Sequence, residues 1–137
     1  MKVITKLLRD NAKLPNRAHS GDAGADVYCC EDTIIKAKSM NKIPLGIAIE
    51  VPNGAMAVIH CKSGLSSKGI FASNAPIDYQ YEGEVHAILL NISDNDYIFK
   101  AGEKVGQLVM LPIYLPEYVE SINEEKRGAG AFGSTGK

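Results

Sequence analysis

The sequence predicts an all-β fold, a sandwich or barrel of short strands, and three observations carry that reading. Short apolar or alternating runs rich in Val, Ile and Tyr recur along the chain, clusters of Gly, Pro, Asn and Asp separate them, and helical periodicity is scarce. β-Branched and aromatic side chains suit a pleated, half-buried surface, while the punctuating residues close turns. Taken in order, the expected strands are Val3 to Leu8, Asp26 to Cys29, Thr33 to Ile35, Ile47 to Val51, Ala55 to His60, Glu84 to Asn91, Tyr97 to Phe99 and Val105 to Ile113. Pro52-Asn53-Gly54 is expected to join two of these as a tight hairpin, Asp94-Asn95-Asp96 another pair, and Lys100 to Glu103 is a third break. Only Ser63 to Lys68 invites a short helix, whose free N–H groups are a natural anion site.

With 137 residues the chain is about one domain, large enough for one core. Its 45% apolar and 23% charged residues, without an apolar run near ~18 residues, describe a soluble protein with no membrane span and no signal peptide, expected in the cytoplasm. A net charge of -1 supplies no field for nucleic acid, so any polyanion must meet a local cluster. Cys29, Cys30 and Cys61 lack zinc spacing and read as reduced thiols. His19, His60 and His86 lack ligand spacing and receive no role.

Four segments carry chemistry-bearing residues. Lys62 to Gly69 packs three hydroxyls, two cations and two glycines into eight residues, which suits either a phosphate cradle or a solvated turn. In Asn74 to Gly83, Asp78 stands among apolar and aromatic neighbours beside a tight turn, as a general base orienting water or as a turn aspartate. Asp26 lies at a glycine-flanked strand start. The last eleven residues, Arg127 to Lys137, hold four glycines and one aromatic. They read either as a frayed terminus or as a mobile lid, with glycine N–H groups and the Ser134 and Thr135 hydroxyls for phosphate oxygens, Arg127 for charge and Phe132 for a base face. They are not a Walker A loop, because Ala131 stands where GxxxxGK[ST] needs Gly and nothing follows Lys137.

In order and spacing these segments resemble the five motifs of the trimeric dUTPases: SGDAGADVY (Ser20 to Tyr28), KSGLSSKGI (Lys62 to Ile70), NAPIDYQYEG (Asn74 to Gly83), GEKVGQLV (Gly102 to Val109) and RGAGAFGSTG (Arg127 to Gly136). The last is the most specific. The resemblance implies a distorted jelly roll over residues 1–123, assembled as a homotrimer, with residues 124–137 a Gly-rich arm closing over a neighbouring subunit's site. It implies hydrolysis of dUTP to dUMP and pyrophosphate with Mg2+, and assigns the parts. Asp78 deprotonates the attacking water, Tyr81 packs under the deoxyribose, Asn74, Ile77 and the hairpin backbone read uracil, and Asp26 fixes a water on Mg. Lys62, Ser63, Gly64 and Gln107 hold phosphates, Arg127, Gly133, Ser134 and Thr135 close on the γ-phosphate, and Phe132 stacks on uracil. If the source is viral, the setting is the host cytoplasm. No regulatory partner protein is identified.

The sequence departs from the family pattern at Lys62, where Arg is usual, at Glu82, where Arg or Gln is common, at Ala75-Pro76, in place of Gly and an aliphatic residue, and at Ala131, in place of Gly. Lysine keeps the charge and loses the planar fork. Of the rival readings, dCTP deaminase needs a glutamate where this chain has Ile88, and Val85 to Leu90 contains no acid. A non-catalytic nucleotide-binding protein of the same fold is favoured by Lys62 and Glu82, and opposed by Asp78, Tyr81, Gln107 and the intact tail.

Overall fold

A computed structural model describes residues 1–122, and they form ten strands and one helical turn. The strands are β1 (Thr5–Leu7), β2 (Ala25–Tyr28), β3 (Thr33–Ile35), β4 (Ser39–Pro44), β5 (Ile47–Ile49), β6 (Ala55–His60), β7 (Ile70–Ala72), β8 (His86–Asn91), β9 (Tyr97–Phe99) and β10 (Lys104–Pro112), with α1 at Ser63–Ser66. The all-β expectation holds, as does the short helical turn. Alternation explains the inward faces: β6 buries Ala55, Ala57 and Ile59 and β8 buries Ala87, Leu89 and Asn91, every second residue in each.

The strands pair in four small antiparallel sheets, β1-β5, β2-β10-β6, β3-β9 and β4-β8-β7. Only β7 and β8 are both consecutive and paired. The expected hairpins are therefore corrected: the Pro52-Asn53-Gly54 turn exists, with Ala55 N–H donating to Pro52 O and Gly54 at φ +84°, but β5 goes on to pair with β1 and β6 with β10. Likewise the 94–96 and 100–103 turns redirect the chain between sheets. A tight turn sets the local reversal only, and partner choice is decided by which faces bury apolar area. Two strands lie outside the expected set. β4 is an edge strand whose outward Met40, Lys42 and terminal Pro44 read as loop, a polar composition that discourages pairing with another chain. β7 is only three residues long.

The core between the sheets is aliphatic, with Ile35, Ile43, Leu45, Ile47, Ile59, Ile70, Leu89 and Phe99 all at most 2% exposed. Cys29 and Cys30 are buried free thiols and Cys61 is half-buried, as the reduced reading expects. Beyond β10, residues 113–122 have no regular structure, and Tyr114, Tyr118 and Ile122 are at least 90% exposed. No helix of the described residues is long and apolar enough to cross a membrane.

One uncharged polar side chain is buried among the described residues. Asn91 is 1% exposed, and its amide Nδ2 donates to Ile35 O and Asn95 O while Oδ1 accepts from Ser93 N–H and Oγ. Every bonding position is used, so the buried amide organises the turn into β9. Asn91→Ala strands those partners and leaves a void. We expect a loss of about 2–3 kcal/mol, read as a lower urea midpoint at unchanged slope.

Candidate active site

The charged part of the site is built on the sheet β2-β10-β6. Gln107 on β10 lies opposite Asp26 on one side and His60 on the other. Along β10, Lys104 pairs with Tyr28 and Gly106 with Val27, so Val105 is the extra residue of a β-bulge. Without it, residues three apart would face opposite ways; with it, Lys104 joins Asp26 and Gln107 on one face. Lys62 lies two residues beyond His60 and reaches the same place. The result is one carboxylate between two ammonium groups: Asp26 Oδ1 is 3.0 Å from Lys62 Nζ and Oδ2 is 2.9 Å from Lys104 Nζ. Asp26 is 7% exposed. Burial pushes its carboxyl up, but the hydrogen bonds and charges of Lys104 and Lys62 outweigh that and leave it below the ordinary carboxylate value. The cluster carries one surplus positive charge, suited to an anion.

Lys104 is a residue that sequence reasoning missed. It lies within Gly102 to Val109, but simple alternation turns it away from Asp26, and only the bulge reverses this. Gln107 is tightly placed: its Nε2 donates to Cys61 O at 2.9 Å, and a Cβ on Gly24 would stand 2.3 Å from its Oε1. Ser63 and Gly64 form the exposed start of α1, anchored by buried Leu65.

The second part of the site is the loop between β7 and β8. Ile77 exchanges two backbone hydrogen bonds with Ala57 of β6, at 2.6 and 3.1 Å, and fixes the loop's entry. Asn74 donates through Nδ2 to His86 O and accepts at Oδ1 from Ile88 N–H. Its amide thus imitates a peptide group against β8. Asp78 is exposed, its carbonyl accepting from Tyr81 N–H in a tight turn that holds Gln80 at φ +70°. Tyr81 is 45% exposed and its hydroxyl donates to Glu84 O at 3.0 Å. A cleft of about 1010 Å³ opens between Tyr79, Gln80 and Tyr81 and the residues Lys6, Ile49 and Val51.

The structure therefore gathers Asp26, Lys62 and Gln107 with Ser63 and Gly64 close by, and separately Asn74, Ile77, Asp78 and Tyr81. Among the described residues no hydrogen bond or ion pair links Asp78 or Tyr81 to the lysine cluster. Arg127, Phe132, Gly133, Ser134 and Thr135 lie outside the described residues. Among those described, no group of three or more His, Cys, Asp and Glu side chains is placed to hold a metal. Direct ligation by Asp26 does not fit, because each of its oxygens already takes an ammonium group. A contact through water does fit, since a carboxylate offers about four acceptor positions.

Comparison with known proteins gives this all-β, cation-bearing chain its class. A family model for dUTPase matches residues 10–136. The chain is 41% identical over 142 aligned positions to the deoxyuridine 5'-triphosphate nucleotidohydrolase of Hydrogenobaculum sp. (strain Y04AAS1), covering 99% of each. Its fold superposes with a TM-score of 0.84 on a variant of the Staphylococcus bacteriophage 80alpha dUTPase with dUpNHpp, at 28% identity and 99% coverage of both chains. A dUTPase from phage phi11 of S. aureus, described with a structural Mg(II) ion, shares the fold at TM-score 0.84 and 24% identity, over 91% of this chain and 99% of that one. The chain belongs to the dUTPase family.

The packing at Gly24 yields a direct test. Gly24→Ala forces Gln107 off its perch and breaks the bond to Cys61 O. We expect about 1–2 kcal/mol of destabilisation and a displaced Gln107 side-chain amide resonance in NMR spectra.

Proposed function

We propose that the protein hydrolyses dUTP to dUMP and pyrophosphate by in-line attack of water on the α-phosphorus, which keeps uracil out of DNA and supplies dUMP for dTMP synthesis. The observation that carries the reading is the placement of Asp78, an exposed carboxyl without a side-chain partner among the described residues, three positions before a tethered tyrosine. Asp78 accepts the proton of the attacking water. Tyr81 offers the flat of its ring to the deoxyribose, and a ribose 2′-hydroxyl would meet that ring. Ile77 and the backbone beside Asn74 line the base edge. Phosphoryl transfer asks mainly for positioning and charge neutralisation. Lys62, Lys104, Gln107, Ser63 and Gly64 provide both for the phosphate chain. Arg127, Gly133, Ser134 and Thr135 close on the γ-phosphate, and Phe132 covers the base. Mg2+ bound to the triphosphate would supply further charge neutralisation, with Asp26 holding it through a water. The setting proposed is the cytoplasm.

Chain geometry supports a site shared between copies in a homotrimer. Ile77 is fixed beside Ala57, whereas Lys62 lies five residues further along, a separation of roughly 16 Å at strand rise. One α-phosphate does not span that distance. A neighbouring subunit that brings its hairpin to this subunit's lysine cluster removes the difficulty.

Two measurements test the reading. With Mg2+ and each deoxynucleoside triphosphate in turn, pyrophosphate release should be fastest for dUTP, and Asp78→Asn should lower kcat by about 10²–10⁴-fold. Equal rates across the nucleotides, or full activity of the Asn variant, sink it. Mixing inactive Asp78→Asn and Lys62→Ala proteins under subunit exchange should recover about a quarter of wild-type sites, because one junction type in four draws both intact halves. No recovery after verified exchange places both residues in one subunit's site.

A further inference from the structure

We propose that Glu84, held by Arg9, is a positioning residue that sets sugar discrimination through Tyr81; the inference rests on the dUTP reading above. The hairpin from Asp78 to Gly83 is exposed or half-buried throughout, so something outside it must fix the ring. Its entry is pinned by Ile77 on β6. Its exit is pinned at Glu84, whose two carboxylate oxygens take three donors: Arg9 Nε at 3.1 Å, Arg9 Nη2 at 3.2 Å and Gly46 N–H at 2.9 Å. The guanidinium engages both oxygens as a fork, a geometry that fixes direction as well as distance.

The backbone on both sides of this contact is constrained. Gly46 sits at φ +69°, and a Cβ there would lie 2.6 Å from Cys30 Sγ, so the N–H that meets Glu84 belongs to a turn open to glycine alone. The next residue, Val85, is 2% exposed and exchanges backbone bonds with Ile47 O and Leu45 N–H. Against this fixed point the Glu84 carbonyl receives the Tyr81 hydroxyl at 3.0 Å, with His86 Nδ1 at 3.1 Å. Gly83 completes the seat, because a Cβ on it would stand 2.4 Å from the Tyr81 hydroxyl oxygen. The tyrosine ring is thus tethered to a residue held on its side chain by the Arg9 ion pair and, through Val85, on its backbone. Arg9 binding also holds the Glu84 carboxyl below its usual range, consistent with a charged clamp.

The experiment compares kcat/KM for dUTP and UTP in the full-length protein, its Arg9→Met and Glu84→Gln variants, and Tyr81→Phe. A clash with a single hydroxyl supports a wild-type preference of about 10²-fold. Arg9→Met and Glu84→Gln should each cut that preference about tenfold, by raising kcat/KM for UTP, with kcat for dUTP within about twofold of wild type. Tyr81→Phe, which removes the tether alone, should lose discrimination too, and combining it with Glu84→Gln should add nothing further. Should Glu84→Gln fail to fold, Arg9→Met and Tyr81→Phe carry the comparison. Folded variants that keep the wild-type preference overturn the clamp while leaving dUTP hydrolysis standing. A wild-type protein indifferent to the 2′-hydroxyl overturns the clamp and the sugar contact assigned to Tyr81, while equal rates across the deoxynucleoside triphosphates overturn the dUTP reading itself.

Discussion

Strand β10 runs between β2 and β6, and the bulge at Val105 decides what its two neighbours share. A bulge costs ladder hydrogen bonds and bends the strand. Here it turns Lys104 onto the face that carries Asp26, Gln107 and, beyond His60, Lys62. Regular pairing through Val105 would turn Lys104 away, leaving a largely buried carboxylate with a single cation. A buried charge with too few partners is costly, because Coulomb attraction must offset desolvation. The close approach of Gly106 to His60 O, 3.0 Å from where a Cβ would lie, suits glycine at that position. The register, the small residue and the charge balance are one arrangement.

That arrangement also bears on Lys62 standing in place of arginine. A lone ammonium is a point charge without a planar fork. Two ammonium groups fastened to opposite oxygens of one carboxylate regain some of the missing direction, since Asp26 holds both at about 3 Å. The carboxylate sits as a spacer between the two cations. Its pKa is lowered, because those bonds prevail over burial, which favours the ionised carboxylate that both lysines bind.

What the sequence made legible follows the range of the interactions. Turn chemistry is local, so Pro52-Asn53-Gly54 and Asp94 to Asp96 were readable as reversals, and β-branched runs marked most strands. Pairing is not local: β1 finds β5 and β2 finds β10 only after the intervening chain has folded, so hairpins inferred from tight turns were wrong. β4 escaped notice because an edge strand carries the polar residues that mark loops elsewhere. At the site, Asp78 and Tyr81 were visible through motif resemblance. Lys104 was hidden by a bulge that no residue pattern announces. Asn74 was visible as a residue, but its engagement with His86 and Ile88 depends on strand register.

The two halves of the site are tied to the same strand at different places, and this limits what one subunit can do alone. β6 carries the hairpin entry at Ala57 and leads to Lys62 at its far end. Because a strand is stiff along its length, the Ile77 anchor at Ala57 stays apart from the far end of β6. A second copy meets the requirement with no internal rearrangement. It also gives a reason for the exposed Tyr114, Tyr118 and Ile122, large side chains left uncovered beyond β10. Exposed side chains of this size and number suit a contact with a second copy of the chain.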